Sequence, residues 1–148
     1  MVILSNFADR LKEQMILRDL KAPALAQIIG VSRATVAGFL RGAHFPSPKA
    51  LFALLEYFNC SADYLLGLID FPSENVVYHK PIEKFGQTFR ELLKTHRVSQ
   101  FRLEQDLPVS GNLVYRWLND LAFPSVESMV KLADFLEISV DMLIGRVK

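Results

Sequence analysis

The sequence predicts an all-α fold made of two five-helix units, and three observations support this prediction. Residues 7–67 (the first copy) align without a gap with residues 85–145 (the second copy), and 16 of the 61 paired positions are identical. Chance would give about 4 identities at an ordinary composition. Apolar residues recur at helical spacing in both copies. No segment alternates apolar and polar residues for long, so the patterns favour a duplicated helical unit over a sheet.

Apolar spacing and terminal residues define the first three helices of the first copy. One face of the first helix carries Phe7, Leu11 and Met15. Pro23 suits the first turn of a second helix, which Gly30 ends. Ser32 is the expected cap of a third helix, which stops at Gly42.

The fourth and fifth helices have equally local signals. Ser47 and Pro48 are a cap and a first helical residue, and they open a helix that runs to Phe58. Ser61 caps a last short helix that Gly67 closes. The second copy is expected to repeat these elements 78 residues later.

Composition limits the class of protein. The chain has 148 residues, of which 51% are hydrophobic and 22% charged, so it can form packed cores and is not a disordered tail. The net charge of +1 argues against a chain that coats nucleic acid over its whole surface. A single cysteine excludes a disulfide framework and a cysteine-built zinc site. Because no apolar run approaches the length of a membrane span, we expect a soluble, cytoplasmic protein with no membrane partner.

The middle of the first copy meets the steric needs of a helix-turn-helix. Such a motif requires a small residue in its first helix, a tight turn that usually contains glycine, and apolar anchors on its second helix. Ala26, Gly30, Val36 and Phe39 supply these features in order. The spacing therefore predicts a helix-turn-helix in this part of the chain.

A combined pattern in the first copy resembles the DNA-binding domain of the lambda-repressor and Cro family, the XRE-like regulators. The residues that carry the resemblance are Leu25-Ala26-Gln27-Ile28-Ile29-Gly30-Val31-Ser32-Arg33-Ala34-Thr35-Val36, Pro46-Ser47 and Ala62-Asp63-Tyr64-Leu65-Leu66-Gly67. The resemblance covers residues 10–67 and, more loosely, residues 88–145. It implies two tandem five-helix lambda-repressor-like domains, each with its third helix in the major groove. Members of the family usually bind DNA as dimers and regulate transcription, often as repressors.

The resemblance also implies a domain division. Residues 1–70 would form the first helix-turn-helix domain, with its motif at about 22–41. Residues 85–148 would form the second, with its motif at about 100–119. The segment between them, 71–84, is expected to be a linker, because Pro72, Ser73, Glu74, Asn75 and Pro81 mark it as a connection.

Carried over by position, the family pattern implies a set of DNA-facing residues. The outward positions of the third helix are Ser32, Arg33, Ala34, Ala37, Gly38 and Arg41, with counterparts Ser110, Gly111, Asn112, Tyr115, Arg116 and Asn119. The position that usually holds a phosphate-contacting glutamine is Ala22 in the first copy and Gln100 in the second. The expected DNA-binding residues are Lys21, Ser32, Arg33, Ala34, Ala37, Arg41, Gln100, Ser110, Asn112, Tyr115, Arg116 and Asn119.

Physical arguments support part of this set and leave alternatives open. Arg33 lies at the amino end of the third helix, where it can pair bidentately with guanine, a contact worth about 1–3 kcal/mol of discrimination. Ser32 leaves backbone N–H groups able to meet a phosphate. Small Ala34, Ala37 and Gly38 are expected to let the helix lie close in the groove, at the cost of few direct base contacts. The alternatives are that Arg33 and Arg41 are solvated surface arginines, that Ser32 is a cap alone, and that the outward residues of the second copy form a solvated face.

Charge separates the two copies. Residues 18–49 hold five basic residues and one acidic residue, a net charge of +4, whereas residues 96–127 hold three and four, a net charge of −1. Phosphate neutralisation dominates affinity for DNA, so the first copy is expected to be the principal DNA-binding head. Glu104 replaces the small residue of the motif and Pro108 replaces its turn glycine. The second copy is therefore either a weaker reader or a helix-turn-helix turned toward protein contacts.

Catalysis has little support in the sequence. His44, His79 and His96 lie in separate segments, without the acidic spacing of a triad or a metal site. His44 and His96 are expected near a DNA backbone or simply on the surface, and Cys60 is expected as a small buried residue. We therefore expect no enzyme activity, no catalytic residue, no cofactor and no metal.

The expected partner is double-stranded DNA, bound by a homodimer or by an intramolecular pseudo-dimer, and no small-molecule effector domain is evident. An alternative of a different class is an antitoxin-like or anti-repressor interaction protein, in which the second copy, or both copies, contact protein rather than DNA. An apolar surplus near the end of each copy is expected to form an interface between copies or chains. Its residues are Leu65, Leu66, Leu68, Ile69, Phe71, Met142, Leu143 and Ile144.

Overall fold

The computed structural model describes residues 2–72 and 75–147, and these residues form ten helices and no strand. The predicted all-α class is confirmed. The first five helices are α1 (Val2–Leu17), α2 (Ala22–Ile29), α3 (Arg33–Leu40), α4 (Pro48–Phe58) and α5 (Ala62–Leu65). The other five are α6 (Phe85–Thr95), α7 (Gln100–Asp106), α8 (Gly111–Leu118), α9 (Val126–Leu136) and α10 (Val140–Leu143). Ser73 and Glu74 of the predicted linker lie outside the described residues.

Backbone contacts divide the chain into two compact units, unit 1 (Met1–Val76) and unit 2 (Val77–Lys148). Unit 1 holds α1 to α5, and unit 2 holds α6 to α10. Part of the predicted linker, from Val77 onward, is thus packed within unit 2. The division into two DNA-binding domains stays a prediction.

The backbone of unit 2 repeats that of unit 1 at an offset of 78 residues. α9 begins and ends 78 residues after α4, and α10 does so after α5. Left-handed backbone positions recur at the same offset. The recurring pairs are Asp19 and Arg97, Gly42 and Asp120, Asn59 and Glu137, and Gly67 and Gly145. Because such conformations are costly for residues with side chains, their recurrence means that the turns after the first, third, fourth and fifth helices have the same backbone form in both units.

The core of unit 1 forms where α1 and α3 meet. Phe7 and Phe39 are at most 1% exposed and pack edge to face, with ring centroids 5.9 Å apart. Such an aromatic pair contributes about 0.5–1.5 kcal/mol beyond its buried area. The other fully buried large side chains here are Leu11, Leu25, Leu51, Leu54, Leu55, Leu65 and Leu66. Phe39 therefore fixes which side of α3 faces inward.

An equivalent aromatic contact anchors α8 in unit 2. Trp117 is 1% exposed and packs edge to face on Phe89 of α6, at a centroid distance of 6.2 Å. Phe89 in turn stacks on Phe85 at 4.8 Å. Trp117 occupies the position of Phe39, as expected for an anchor of the third helix.

A buried ion pair closes the end of unit 2. Arg146 and Asp141 are 3% and 4% exposed, and the Arg146 Nη1 lies 2.5 Å from the Asp141 Oδ1. The Arg146 guanidinium also stacks over the Tyr78 ring, 4.2 Å from its centroid. The N–H of His79 donates to the Arg146 carbonyl at 2.8 Å, and that of Ile82 donates to the Ile144 carbonyl at 2.9 Å. These contacts tie the segment before α6 to the segment after α10.

The expected apolar surplus is only partly at the surface. Leu65, Leu66, Leu143 and Ile144 are fully buried in the cores of their own units, so their assignment to an interface was wrong. Leu68, Ile69 and Phe71 are exposed by 37%, 38% and 81%, and Met142 is half-buried. The short helices α5 and α10 point their apolar residues inward because each closes the core of its unit.

Among the described residues no single helix is long and apolar enough to cross a membrane. Helices α2 and α3 pass that test of length and composition only when they are taken together, across a bend of 113°.

We predict that Arg146→Met lowers the free energy of unfolding of unit 2 by about 3–5 kcal/mol, because it deprives the buried Asp141 carboxylate of its guanidinium partner. Trp117 is the one tryptophan of the sequence and lies in this core, so its fluorescence in a urea titration reports this transition. The exposed pair of Arg102 and Asp106, 3.5 Å apart, gives the control. Arg102→Met should cost less than about 1 kcal/mol. Equal effects of the two substitutions would contradict the prediction.

Candidate nucleic-acid interface

Helices α2 and α3 of unit 1 are joined by a tight turn. Three residues separate them, and the helices are bent by 113° relative to each other. The helices of a DNA-binding helix-turn-helix meet at about 90–120°. Gly30 ends α2 in a left-handed conformation, with φ +75°, which favours glycine over a residue with a side chain. Ala26 is 4% exposed, so the small residue lies inside the packed pair.

A serine cap and two apolar anchors set the orientation of α3. The Ser32 Oγ accepts a hydrogen bond from the Thr35 N–H at 3.1 Å and lies 2.8 Å from the Thr35 hydroxyl. Val36 and Phe39 are buried on the inner side of the helix. The opposite side of α3 is therefore held toward solvent.

The structure places most of the predicted residues of unit 1 on this outer side. Ser32, Arg33, Ala34 and Arg41 are exposed, and Ala37 is half-buried. Lys21, just before α2, is exposed as well. These side chains are accessible to solvent to different degrees, and a contact with DNA stays a prediction for each of them.

Gly38 is the exception to the expected outward face. It is buried, because the imidazole ring of His44 covers it. A Cβ at this position would collide with the His44 Nε2 and lie 3.1 Å from two carbons of the same ring. The expectation that Gly38 leaves an open surface for DNA was wrong, since a side chain from the following loop fills that space.

Four basic side chains in and near the α2–α3 pair have no partner within the described residues. The side chains of Lys21, Arg33, Arg41 and Lys49, the last of which lies in α4, make no hydrogen bond or ion pair there, and all four residues are exposed. Arg18 differs, because it donates to the Phe58 carbonyl at 3.0 Å and to Gln14 at 2.8 Å. Four cations are thus available to an anion without breaking an internal contact.

The corresponding turn of unit 2 has a different construction. α7 ends at Asp106, and Leu107 is extended at φ −89° and ψ 128°. The residue before a proline disfavours the helical conformation, so Pro108 explains the early end of α7. Glu104, at the small-residue position, is half-buried and accepts a hydrogen bond from the Gln100 Nε2 at 3.0 Å. Gln100 is therefore engaged by its own helix rather than fully available to a phosphate.

Two further predicted residues, one on α8 and one directly after it, also have side-chain hydrogen bonds within unit 2. The Asn119 Nδ2 donates to the Tyr115 carbonyl at 2.8 Å, and its Oδ1 accepts from Arg90 at 3.4 Å. The Arg116 Nη2 donates to the Leu121 carbonyl at 3.5 Å. Both amide atoms of Asn119 thus have partners within unit 2.

The remaining predicted residues of unit 2 are exposed. Ser110 precedes α8 without a side-chain capping bond, unlike Ser32. Asn112 is exposed, and half of the Tyr115 side chain is accessible to solvent. Contact of these three residues with DNA stays a prediction.

Sequence reasoning missed two exposed apolar residues beside these positions. Phe101, the second residue of α7, is 71% exposed, and Leu121, just after α8, is 59% exposed. The aligned residues of the first copy are Pro23 and Ala43, so a comparison of the copies contained a signal. With Tyr115 they give the α7–α8 pair three large apolar side chains at its surface.

The described residues hold no cluster of three or more His, Cys, Asp and Glu side chains that could bind a metal ion. Cys60 is half-buried rather than fully buried as expected.

Comparison with known proteins gives one family match. Residues 11–65, from the middle of α1 to the end of α5, match the family model described as helix-turn-helix. The match supports a DNA-binding transcription regulator of the XRE type, and no family match supports a second copy in unit 2. No curated protein and no solved structure matches the chain.

We predict that Ser32→Ala destabilises α3 by about 1 kcal/mol, because it removes the oxygen that accepts from the Thr35 N–H. Ser110→Ala is the matched control at the aligned position, where no side-chain cap exists, and should cost only a few tenths of that. Amide hydrogen exchange of α3 and α8 measures the two effects separately. A larger loss of protection in α8 than in α3 would contradict the prediction.

Proposed function

We propose that this protein is a sequence-specific regulator of transcription that binds double-stranded DNA through unit 1, with α3 in the major groove. The observation that carries the proposal is a set of four exposed cations whose side chains have no internal partner among the described residues: Lys21, Arg33 and Arg41 at the α2–α3 pair, and Lys49 in α4. The helix-turn-helix family match over residues 11–65 supports the same function.

Electrostatics makes unit 1 the principal head in this proposal. Affinity for DNA comes mainly from cations that neutralise phosphates and release counterions. Cations without internal partners can do this without loss of an existing contact. The net charge of +4 in residues 18–49, against −1 in residues 96–127, adds to the difference.

Sequence preference would come from the amino end of α3. Arg33 is the first helical residue, where a side chain of a helix-turn-helix reaches base edges. Ala34 and Ala37 are small enough for close approach to the groove. Few direct base contacts are then available, so Arg33 would carry most of the direct readout.

Two arrangements would place two recognition helices on the two DNA half-sites, which lie about 34 Å apart for such regulators. In a pseudo-dimer, unit 1 and unit 2 of one chain read non-identical half-sites. In a homodimer, two copies of unit 1 read a palindrome. Repression is the proposed outcome, because regulators of the family that the sequence resembles often act by occupying their DNA site.

A second candidate function is favoured by the surface of unit 2. Three of its polar side chains have internal partners, namely those of Gln100, Arg116 and Asn119. Phe101, Tyr115 and Leu121 are instead exposed, and aromatic residues with arginine are typical of protein interfaces. In this second proposal the α7–α8 pair contacts protein, as in an antitoxin-like or anti-repressor partner. We favour a second copy of this chain as the occupant, because residues 96–127 carry a net charge of only −1, so two copies of this face meet without strong repulsion.

We predict that Arg33→Ala with Arg41→Ala reduces the slope of log affinity against log salt by about 2 for random genomic duplex, since each phosphate contact contributes about 0.9. The slope is measured by fluorescence anisotropy at salt concentrations from about 50 to about 200 mM, over which such binding weakens strongly. The matched control is Lys80→Ala with Lys94→Ala, which removes the same charge from exposed positions outside the α2–α3 pair.

The control variant should have nearly the same salt slope as the native chain. Absence of any binding by the native protein at low salt would overturn the proposed function. A loss of binding in Arg116→Ala, with full binding in the variant of Arg33 and Arg41, would show that unit 2 is the principal head.

We also predict that serine substitutions at Phe101, Tyr115 and Leu121 shift a concentration-dependent dimer toward monomer, because they remove the apolar contacts of the α7–α8 pair. Sedimentation equilibrium measures the association constant. The control replaces three apolar residues of unit 1 that are more exposed still, namely Ile16, Leu17 and Phe71. A native chain that stays monomeric at all concentrations would contradict the homodimer.

A further inference from the structure

The segment directly before α6, residues 78–84, lies across the end of unit 2 without forming a helix. The ring of Tyr78 stacks on the Arg146 guanidinium at 4.2 Å. The N–H groups of His79 and Ile82 donate to carbonyls of the segment after α10, at 2.8 and 2.9 Å. Three residues of the segment are half-buried and four are exposed, so none of them is fully buried. Residues 78–84 are called the strap below.

Unit 1 covers the equivalent place with a helix. At the offset of 78 residues, α1 extends five residues further toward its amino end than α6 does. A Cβ built at Gly67 would collide with the Asn6 side chain of α1. A Cβ built at the aligned Gly145 would collide with Ile82 of the strap. The turn after the last helix is therefore covered in both units, by a helix in unit 1 and by a non-helical segment in unit 2.

The strap has less buried surface than the elements that it covers. Phe85 and Phe89, which follow it in α6, are fully buried, and so is Arg146. Regions with few buried side chains open at a lower free energy than the core. Arg146 keeps its ion pair with Asp141 when the strap leaves, so opening leaves no buried charge unpaired. These differences favour opening of the strap before the core unfolds.

We propose that the strap is a releasable part of the connection between the two units, and that it detaches as one segment while α6 to α10 stay folded. Unit 1 holds the other end of the connection, where the Arg10 Nη2 donates to the carbonyls of Ile69 and Asp70 at 3.3 and 3.4 Å. The free connection is residues 71–77 with the strap closed and residues 71–84 with the strap open. Its maximum extension between the anchoring residues rises from about 27 Å to about 50 Å.

The opening stands on the contacts of unit 2, whereas its consequence rests on the proposed function. A connection between two binding modules gives the second binding event an effective concentration, which is near zero when the connection cannot span the sites. An open strap extends the distance that the connection can span. Opening therefore widens the range of half-site spacings that one protein can bridge, at the cost of the strap contacts.

Amide hydrogen exchange of the full chain tests the opening itself. We expect the His79 and Ile82 amides to share one protection factor, at least about a hundredfold below that of Leu132 in the core helix α9. Their exchange should respond weakly to urea, because opening of the strap exposes little surface compared with unfolding of the unit.

Two matched variants locate the effect in the strap. Tyr78→Ala should lower the protection factors of His79 and Ile82 by about tenfold, because it removes the stacking contact with Arg146. The core amides of α9 should keep their protection. Phe71→Ala is the control, since it removes an exposed aromatic ring from the same connection but outside the strap, and it should change neither set of amides.

Affinity for DNA tests the consequence. The duplex selected for tight binding by the native chain is compared with one whose half-sites are moved apart by one helical turn, about 10 base pairs. Because opening is part of binding to the wider duplex, Tyr78→Ala should bind that duplex up to about tenfold more tightly than the native chain does. The reference variant carries a Gly-Ser insertion as long as the strap after Asn75, which lengthens the connection and leaves the strap contacts intact.

Each outcome decides one of the claims. Exchange of His79 and Ile82 with the rate and urea dependence of Leu132 would show that the strap opens only with the whole unit, and this would overturn the inference. A native affinity of Tyr78→Ala for the wider duplex, when the insertion variant binds it more tightly, would also overturn it. So would equal affinity of the native chain for the two duplexes. A native chain that binds neither duplex would instead overturn the proposed function, and the exchange result would stand.

Discussion

The packing of Phe39 against Phe7 is the contact on which the candidate interface of unit 1 depends. It holds α3 on α1 from the inner side, at a centroid distance of 5.9 Å, and it supports the His44 ring at 5.3 Å. A helix that is anchored on one side presents the opposite side to solvent. Trp117 does the same for α8 by packing on Phe89. The two units thus share a scaffold, and they differ in the side chains that the scaffold turns outward.

Those outward side chains differ most in whether they already have partners. An anion that binds unit 1 meets cations such as Arg33 and Arg41, which have no internal bond among the described residues. In unit 2 a ligand would compete with the bonds of Asn119 and Arg116, and desolvation of such groups reduces net affinity. The exposed Phe101 gains from burial instead. This difference underlies the two proposals, DNA as the partner of unit 1 and protein as the partner of unit 2.

The exchange between Gly38 and Arg116 shows a limit of transferring roles by aligned position. A position can lose its side chain while the space that the side chain filled is taken by a residue from the next loop. In unit 1 that residue is His44, six positions later along the chain.

The sequence by itself determined the helical class, the recurrence at 78 residues and the capping of α3, because spacing, caps and glycine turns act between residues a few positions apart. It also indicated Phe39 and Trp117 as inward anchors, since helical periodicity fixes a face. Only the tertiary structure decided that Gly38 is covered and that Asn119 is engaged by Arg90. It alone revealed that Arg146 is buried against Tyr78, 68 positions away. These facts depend on contacts between separate elements, and no local pattern encodes which distant side chain will fill a given space.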